Sequence, residues 1–181
     1  MSLRDRLRDC ISDDGIEFGI AVQHVESGKE TLINGDTIFA TASVFKVPVM
    51  VEVYRQARAG RFDLDDRLEL ETRYKTLTTG VLLHLQDGLR PTIRDLVMLM
   101  TIVSDNTATT MLMELVGPEN VTATMCDLGL KSIQVNLTVH EMFLHAFGIP
   151  EQADISLDEL RERALQVQMD YGSRAFSRGK D

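Results

Sequence analysis

The apolar positions change period along the chain. Leu3, Leu7, Cys10 and Ile11 fall on one face of an amphipathic helix over Leu3 to Ile11. Ile16, Phe18, Ile20 and Val22 then alternate with Glu17, Gly19, Ala21 and Gln23, the period of a strand. The small Gly19 and Ala21 suit close approach of a helix to that face, so this strand is expected to be covered on both sides. Glu26-Ser27-Gly28-Lys29 reads as a turn, and Glu30 to Ile33 as a second strand ending at Asn34-Gly35-Asp36. From Ser43 onward nearly every segment reads as helix.

The spacing predicts helices over Val47 to Ala59, stopped at Gly60, over Leu77 to Leu85, and over Ile93 to Val103. A further helix follows Ser104-Asp105-Asn106, a run of capping residues ahead of Thr107 to Leu112. Others cover Asn120 to Leu128, after Gly117-Pro118, and Leu157 to Met169, with Leu157, Leu160, Ala164 and Val167 inward. Pro48 falls near the first turns of its helix and is expected to adjust the backbone there. Met98, Met100, Met111 and Met113 read as core packing rather than metal ligands. Phe176 to Asp181 is polar and reads as a frayed end.

Composition narrows the classes. The 181 residues are 44% hydrophobic and 26% charged, which fits one globular unit with a real core. A formal net charge of -9 disfavours nucleic acid and anionic membrane as partners. No apolar run approaches the ~20 residues needed to span a bilayer. The first residues, Met1 to Arg6, are a charged helix start without a signal-peptide apolar region. Cys10 and Cys126 have no metal or redox spacing; they read as two free thiols, with a disulfide as the alternative.

Two short patterns carry candidate chemistry. Ser43 and Lys46 lie three apart, neighbouring positions on one helix face. An amine with a lowered pKa can take the proton of a hydroxyl that is otherwise a poor nucleophile. The structural alternative is a serine N-cap followed by an exposed lysine. The second pattern, Ser104-Asp105-Asn106, presents a hydroxyl for proton relay and an amide for substrate orientation, or simply caps a helix. A third, His140-Glu141-Met142-Phe143-Leu144-His145, misses the zinc signature H-E-x-x-H by one residue. Its histidines would lie about 140° apart around a helix, so no metal site is read there, and no cofactor is called for.

S-x-x-K and S-D-N in this order resemble the class A β-lactamase and penicillin-binding-protein superfamily. Thr37 to Lys46 resembles the family's approach to its nucleophile, and Thr92-Ile93-Arg94-Asp95-Leu96 through Thr109 its second motif with the preceding helix. The likeness runs from about Ile16 to about Gly148. It implies an α+β fold: an N-terminal part over 1–41 with a helix and the first strands of an antiparallel sheet, and a helical part over 42–181 carrying both motifs. It implies a serine hydrolase that opens a β-lactam amide through an acyl-enzyme on Ser43. Lys46 would be proton acceptor or relay, Ser104 would protonate the leaving nitrogen, and Asn106 would orient the substrate amide. The Ser43 backbone N–H would supply one oxyanion donor. Glu141-Met142-Phe143-Leu144-His145 resembles the family's E-x-x-L-N loop, with histidine for asparagine, which would make Glu141 the deacylating base.

The family's K-T-G strand motif has no match; the late lysine in Gly179-Lys180-Asp181 does not fit it. The chain is therefore expected to stop before the last strands, leaving an open sheet edge for a C-terminal remainder or a second copy. The small-molecule substrate would be a β-lactam or an acyl-D-alanine of peptidoglycan type. A D-alanyl-D-alanine peptidase or amidase, a non-hydrolytic penicillin-binding sensor and a degenerate binding domain are the alternatives. The resemblance suggests a periplasmic or secreted protein, while the sequence shows no signal peptide, and localisation stays open.

Overall fold

The computed structural model describes residues 1–11, 15–39, 41–76, 79–135, 137–146, 148–150, 159, 162, 163 and 166. It is an α+β protein. Two compact units follow one another along the chain, Met1–Ala42 and Ser43–Asp181.

The first unit holds helix α1 (Leu3–Cys10) and an antiparallel hairpin of β1 (Ile20–His24) and β2 (Lys29–Ile33). Ser2 starts α1 through a capping box with Asp5. The hairpin register pairs Ile20 with Ile33 and His24 with Lys29. β1 starts four residues later than the alternation predicts. The Asn34 amide donates to the Phe18 carbonyl at 2.8 Å, so a side chain takes the place of the next ladder bond. The Phe39 ring also lies against Gly19, where a Cβ would come within 2.4 Å of Cε2. Gly19 thus admits an aromatic ring rather than a helix. The expected burial on both faces is not met: Val22 and Leu32 are exposed, and α1 has no buried residue. Arg4 anchors α1 instead, its guanidinium donating to the Leu32 carbonyl at 2.6 and 3.0 Å.

The second unit holds the core. Helix α2 (Lys46–Arg58) is entered through a 3-10 turn over Ala42–Phe45. Pro48 sits in the first turn of α2, where its missing N–H would have no intrahelical partner, so the helix tolerates it. The helix ends as predicted. Gly60 takes φ +74°, its N–H donates to the Ala57 carbonyl, and Arg61 N–H donates to the Gln56 carbonyl, which together satisfy the last carbonyls.

Helices α3 (Ile93–Ile102), α4 (Asn106–Val116) and α5 (Pro118–Asp127) pack with α2. Thr92 and Asp95 form the capping box of α3. α5 begins two residues earlier than predicted because Pro118 occupies its first position, which suits a fixed φ. Helix α6 (Val139–Ala146) follows. Val53, Leu70, Leu96, Met100, Met111 and Leu112 are among the fully buried side chains. Met98 is half exposed, unlike the other three methionines expected in the core.

The helix expected over Leu77 to Leu85 is not formed across its described part, residues 79–85. Only a 3-10 turn, Leu82–His84, appears. The reason is Asp105: one carboxylate oxygen accepts from both Val81 N–H (2.6 Å) and Leu82 N–H (2.9 Å). Gly80, at φ +120°, lets that carboxylate approach; a Cβ there would lie 2.3 Å from the Asp105 carboxyl carbon. The other oxygen accepts from Ala108 N–H and caps α4. Asp105 is wholly buried, so one carboxylate fixes a loop, a turn and a helix start together. The helix read over Leu157 to Met169 lies largely outside the described residues, and Phe176 to Asp181 lies wholly outside them.

A second buried carboxylate, Glu52, ties α2 to its neighbours. Arg55 donates to it twice, at 2.7 and 2.8 Å, Gln56 at 2.7 Å and Thr124 of α5 at 2.6 Å. Gln56 also donates to the Val116 carbonyl at the end of α4. Burial alone would raise the Glu52 pKa, but the bonds from Arg55, Thr124 and Gln56 outweigh it and hold the group below its ordinary value. A depressed carboxylate stabilises the fold above its unfolded pKa, and that contribution is lost as pH falls through the folded one.

Glu52→Ala strips buried Thr124 of an acceptor and opens a gap, so it should cost about 3 kcal/mol in urea unfolding. It should also flatten the acid limb of stability below the carboxylate range, measured by melting against pH. Gly80→Ala must move the Asp105 carboxylate and force alanine into a left-handed conformation. It should cost about 2–4 kcal/mol, and a variant melting within 1 °C of the parent, about 0.3 kcal/mol for a unit this size, would show that the loop accommodates a methyl group.

Candidate active site

Ser43 is exposed within the 3-10 turn, and Lys46 is the first residue of α2, only 3% exposed. In a 3-10 turn residues three apart eclipse one another, so the turn brings both side chains to one side. The ammonium does not bond the Ser43 hydroxyl directly. Lys46 Nζ donates to the Ser104 carbonyl at 2.7 Å, to Ser104 Oγ at 2.8 Å and to Asn106 Oδ1 at 2.7 Å. Ser104 Oγ in turn lies 2.9 Å from Ser43 Oγ. Lysine and nucleophile candidate are therefore joined through Ser104.

All three ammonium protons have acceptors, which is what a buried charge requires. The three acceptors come from one turn, Ser104 to Asn106. That turn is strained: Ser104 has φ +56°, a left-handed conformation that costs a non-glycine residue of order 1–2 kcal/mol. The conformation lets Ser104 aim its carbonyl and its hydroxyl at the same ammonium.

Burial lowers the Lys46 pKa to about 8, against a smaller opposing pull from the Asp105 charge. The lysine is thus mostly charged at neutral pH and passes to the neutral amine just above it. The sign for stability follows. Between about 8 and 10.5 the unfolded lysine still holds its proton while the folded one has released it, so this group makes stability rise with pH across that window.

Ser43, Lys46, Ser104 and Asn106 are brought together. Glu141 is not joined to them by any hydrogen bond among the described residues. Class A likeness suggested a loop, but Glu141 lies in the first turn of α6. Its carboxylate accepts from Thr138 N–H at 2.6 Å, and its own N–H donates to the Thr138 hydroxyl at 3.2 Å, a capping box. The Thr138 N–H and then its hydroxyl hold the carboxyl below its ordinary pKa, with burial working the other way. His140 and His145 both lie on α6, and among the described residues no group of three metal-ligating side chains gathers. Neither cysteine is in a disulfide. No helix among the described residues is long and apolar enough to cross a membrane.

Two positions escaped the reading of the sequence. Asp105 organises the site from beneath, and Thr79 donates from its hydroxyl to the Ser104 carbonyl at 2.7 Å. Thr79 and Gly80 fall within the helix read over Leu77 to Leu85; the groups that give them meaning, the Ser104 carbonyl and the Asp105 carboxylate, each lie 25 residues further on, which no local pattern shows.

The beta-lactamase enzyme family matches residues 2–164. The chain is 29% identical to the beta-lactamase regulatory protein BlaB of Streptomyces cacaoi over 142 residues, 78% of this chain and 46% of the relative. Among solved structures it resembles a beta-lactamase from Sphaerobacter thermophilus at TM-score 0.64 and 40% identity, covering 67% of this chain and 46% of that one. It resembles PBP-A at TM-score 0.64 and 26% identity, covering 68% and 47%. The chain spans about half the length of the curated relatives it matches, 46% and 47%. With the family matched across most of its length and the relay of its two motifs assembled, the chain belongs to the beta-lactamase enzyme family.

Proposed function

We propose that Ser43 is the nucleophile of a serine acyl-transfer enzyme that opens the β-lactam amide. The observation that supports this is the continuous path from Lys46 Nζ through Ser104 Oγ to Ser43 Oγ. Hydroxyl hydrogens turn to suit their neighbours, so the path has two polarities. With Lys46 charged, it donates to Ser104, which donates to Ser43. With Lys46 neutral, the direction reverses and the amine becomes the proton sink.

In the acylation step the Ser43 proton passes to Ser104 Oγ while the Ser104 proton passes to Lys46 Nζ. Ser43 Oγ bonds the lactam carbonyl carbon, and the carbon–nitrogen bond breaks. The proton then returns from Lys46 through Ser104 to the leaving nitrogen, leaving an ester on Ser43 and an opened amine. Asn106, fixed at the same ammonium, orients the substrate's amide side chain. One specific observation favours a second outcome for the ester. Glu141, the candidate base for its hydrolysis, is engaged in the cap of α6. A penicillin-binding protein that stays acylated is the reading this favours, and among the similar proteins are a regulatory protein and PBP-A.

Labelled penicillin tests the nucleophile. Ser43→Ala should abolish covalent labelling, and Ser104→Ala and Lys46→Ala should slow it about 10²–10⁴-fold. The parent's labelling rate should rise with pH through about 8, as Lys46 passes to its neutral form. Labelling that persists in Ser43→Ala would remove the assignment.

Glu141→Gln separates the two fates of the ester. If Glu141 drives hydrolysis, acyl-enzyme accumulates and turnover of a chromogenic cephalosporin falls. If it only caps α6, the acyl-enzyme lifetime is unchanged, and since glutamine still accepts from Thr138 N–H the variant loses only the contribution of the charge at the helix start, about 0.3–1 kcal/mol.

A further inference from the structure

The Ser104 carbonyl accepts from two donors of different kinds: the Lys46 ammonium at 2.7 Å and the Thr79 hydroxyl at 2.7 Å. Residue 79 makes a second tie to the same turn, its carbonyl accepting from Asn106 N–H at 3.0 Å. Thr79 therefore grips both ends of Ser104 to Asn106, the segment that supplies every acceptor of the buried lysine. We propose that Thr79 is a positioning residue that, by sharing the Ser104 carbonyl with the Lys46 ammonium, sets the proton affinity of Lys46.

The Lys46 ammonium and the Thr79 hydroxyl compete for one oxygen. Donation by a neutral hydroxyl draws electron density from the carbonyl and weakens what it offers the ammonium. Hydrogen bonds to the charged form favour that form. Without the hydroxyl, the carbonyl serves Lys46 more fully and the charged lysine gains. Thr79 thus shifts the balance toward the neutral amine, in the same direction as burial.

The other charged groups near α2 leave this control undisturbed. Asp105, at the start of α4, is the charge that acts on Lys46. Glu52 on α2 is closed off by Arg55, Gln56 and Thr124. Asp95 on α3 is held in its own cap, and Glu114 on α4 pairs with Arg73. Asp127 on α5 acts on Arg55, and Glu141 on α6 is held by Thr138.

This inference deepens the proposed reading, because it concerns the same lysine, but it can be measured without substrate. The chain has five lysines, so lysine labelled with ¹³C at Cε gives few signals to titrate, and Lys46→Arg identifies the one that matters. Thr79→Val and Thr79→Ala remove the hydroxyl, and Thr79→Ser keeps it. Both hydroxyl-free variants should titrate Lys46 about half a pH unit or more above the parent, and Thr79→Ser should titrate with the parent. A Lys46 midpoint unchanged or lowered in whichever hydroxyl-free variant keeps a cooperative melt would overturn the proposal, as would the same upward shift in Thr79→Ser. The titration stands even where no penicillin reacts, so a failure of the acyl-transfer reading and a failure of this one are told apart.

Discussion

A charged lysine is buried at the start of α2, and everything around the candidate site answers to that burial. Lys46 keeps only 3% of its surface exposed. An ammonium in that position needs three acceptors, and one turn provides them all. For a single turn to do so, Ser104 must point its carbonyl and its hydroxyl the same way, which requires a left-handed backbone at a serine. That conformation is unfavourable alone, so something else must hold it. Asp105 does this from below by binding Val81, Leu82 and Ala108 N–H groups, and Gly80 makes room for it. The chain of requirements runs from a charge to a turn, from the turn to a carboxylate, and from the carboxylate to a glycine.

The two buried carboxylates divide the work. Glu52 binds α2 to α5, Gln56 beside it donates to the end of α4, and neither has a hydrogen bond to Lys46, Ser104 or Ser43 among those described. Asp105 shapes the relay and gives α4 its start. The first network fixes where α2 lies, and the second fixes what its first residue meets. Both place ionised groups among apolar side chains, which is tolerable only because each oxygen finds donors. Among the described residues no buried side-chain polar atom is without a partner.

Much of this was legible in the sequence, and the part that was not follows a rule. The helices of the second unit were visible because apolar spacing and caps are local: Gly60 ends α2, and Thr92 with Asp95 starts α3. Ser43, Lys46, Ser104 and Asn106 were visible because their order and spacing form two recognisable motifs. All but one of the larger differences are long-range. Leu77 to Leu85 looked helical until Asp105 took its N–H groups, and Ile16 to Gly19 looked like strand until Asn34 and Phe39 claimed it. Glu141 matched a loop pattern, yet Thr138 three residues before it completes a capping box. There a local signal was present and was passed over for a resemblance.

In the proposed acyl-transfer reading, a relay that reverses with the charge of Lys46 would form an ester on Ser43 and protonate the leaving nitrogen. It contains no group set aside for activating water. Hydrolysis needs a further base held against the ester, and the carboxylate that the motif likeness nominates is committed to starting a helix. A carboxylate that accepts a backbone N–H at 2.6 Å and sits below its ordinary pKa is a weaker base than an unshared one. In that reading, forming the ester and releasing it rest on different parts of the molecule: the first on the turn around Lys46, the second on whether the cap of α6 yields its carboxylate.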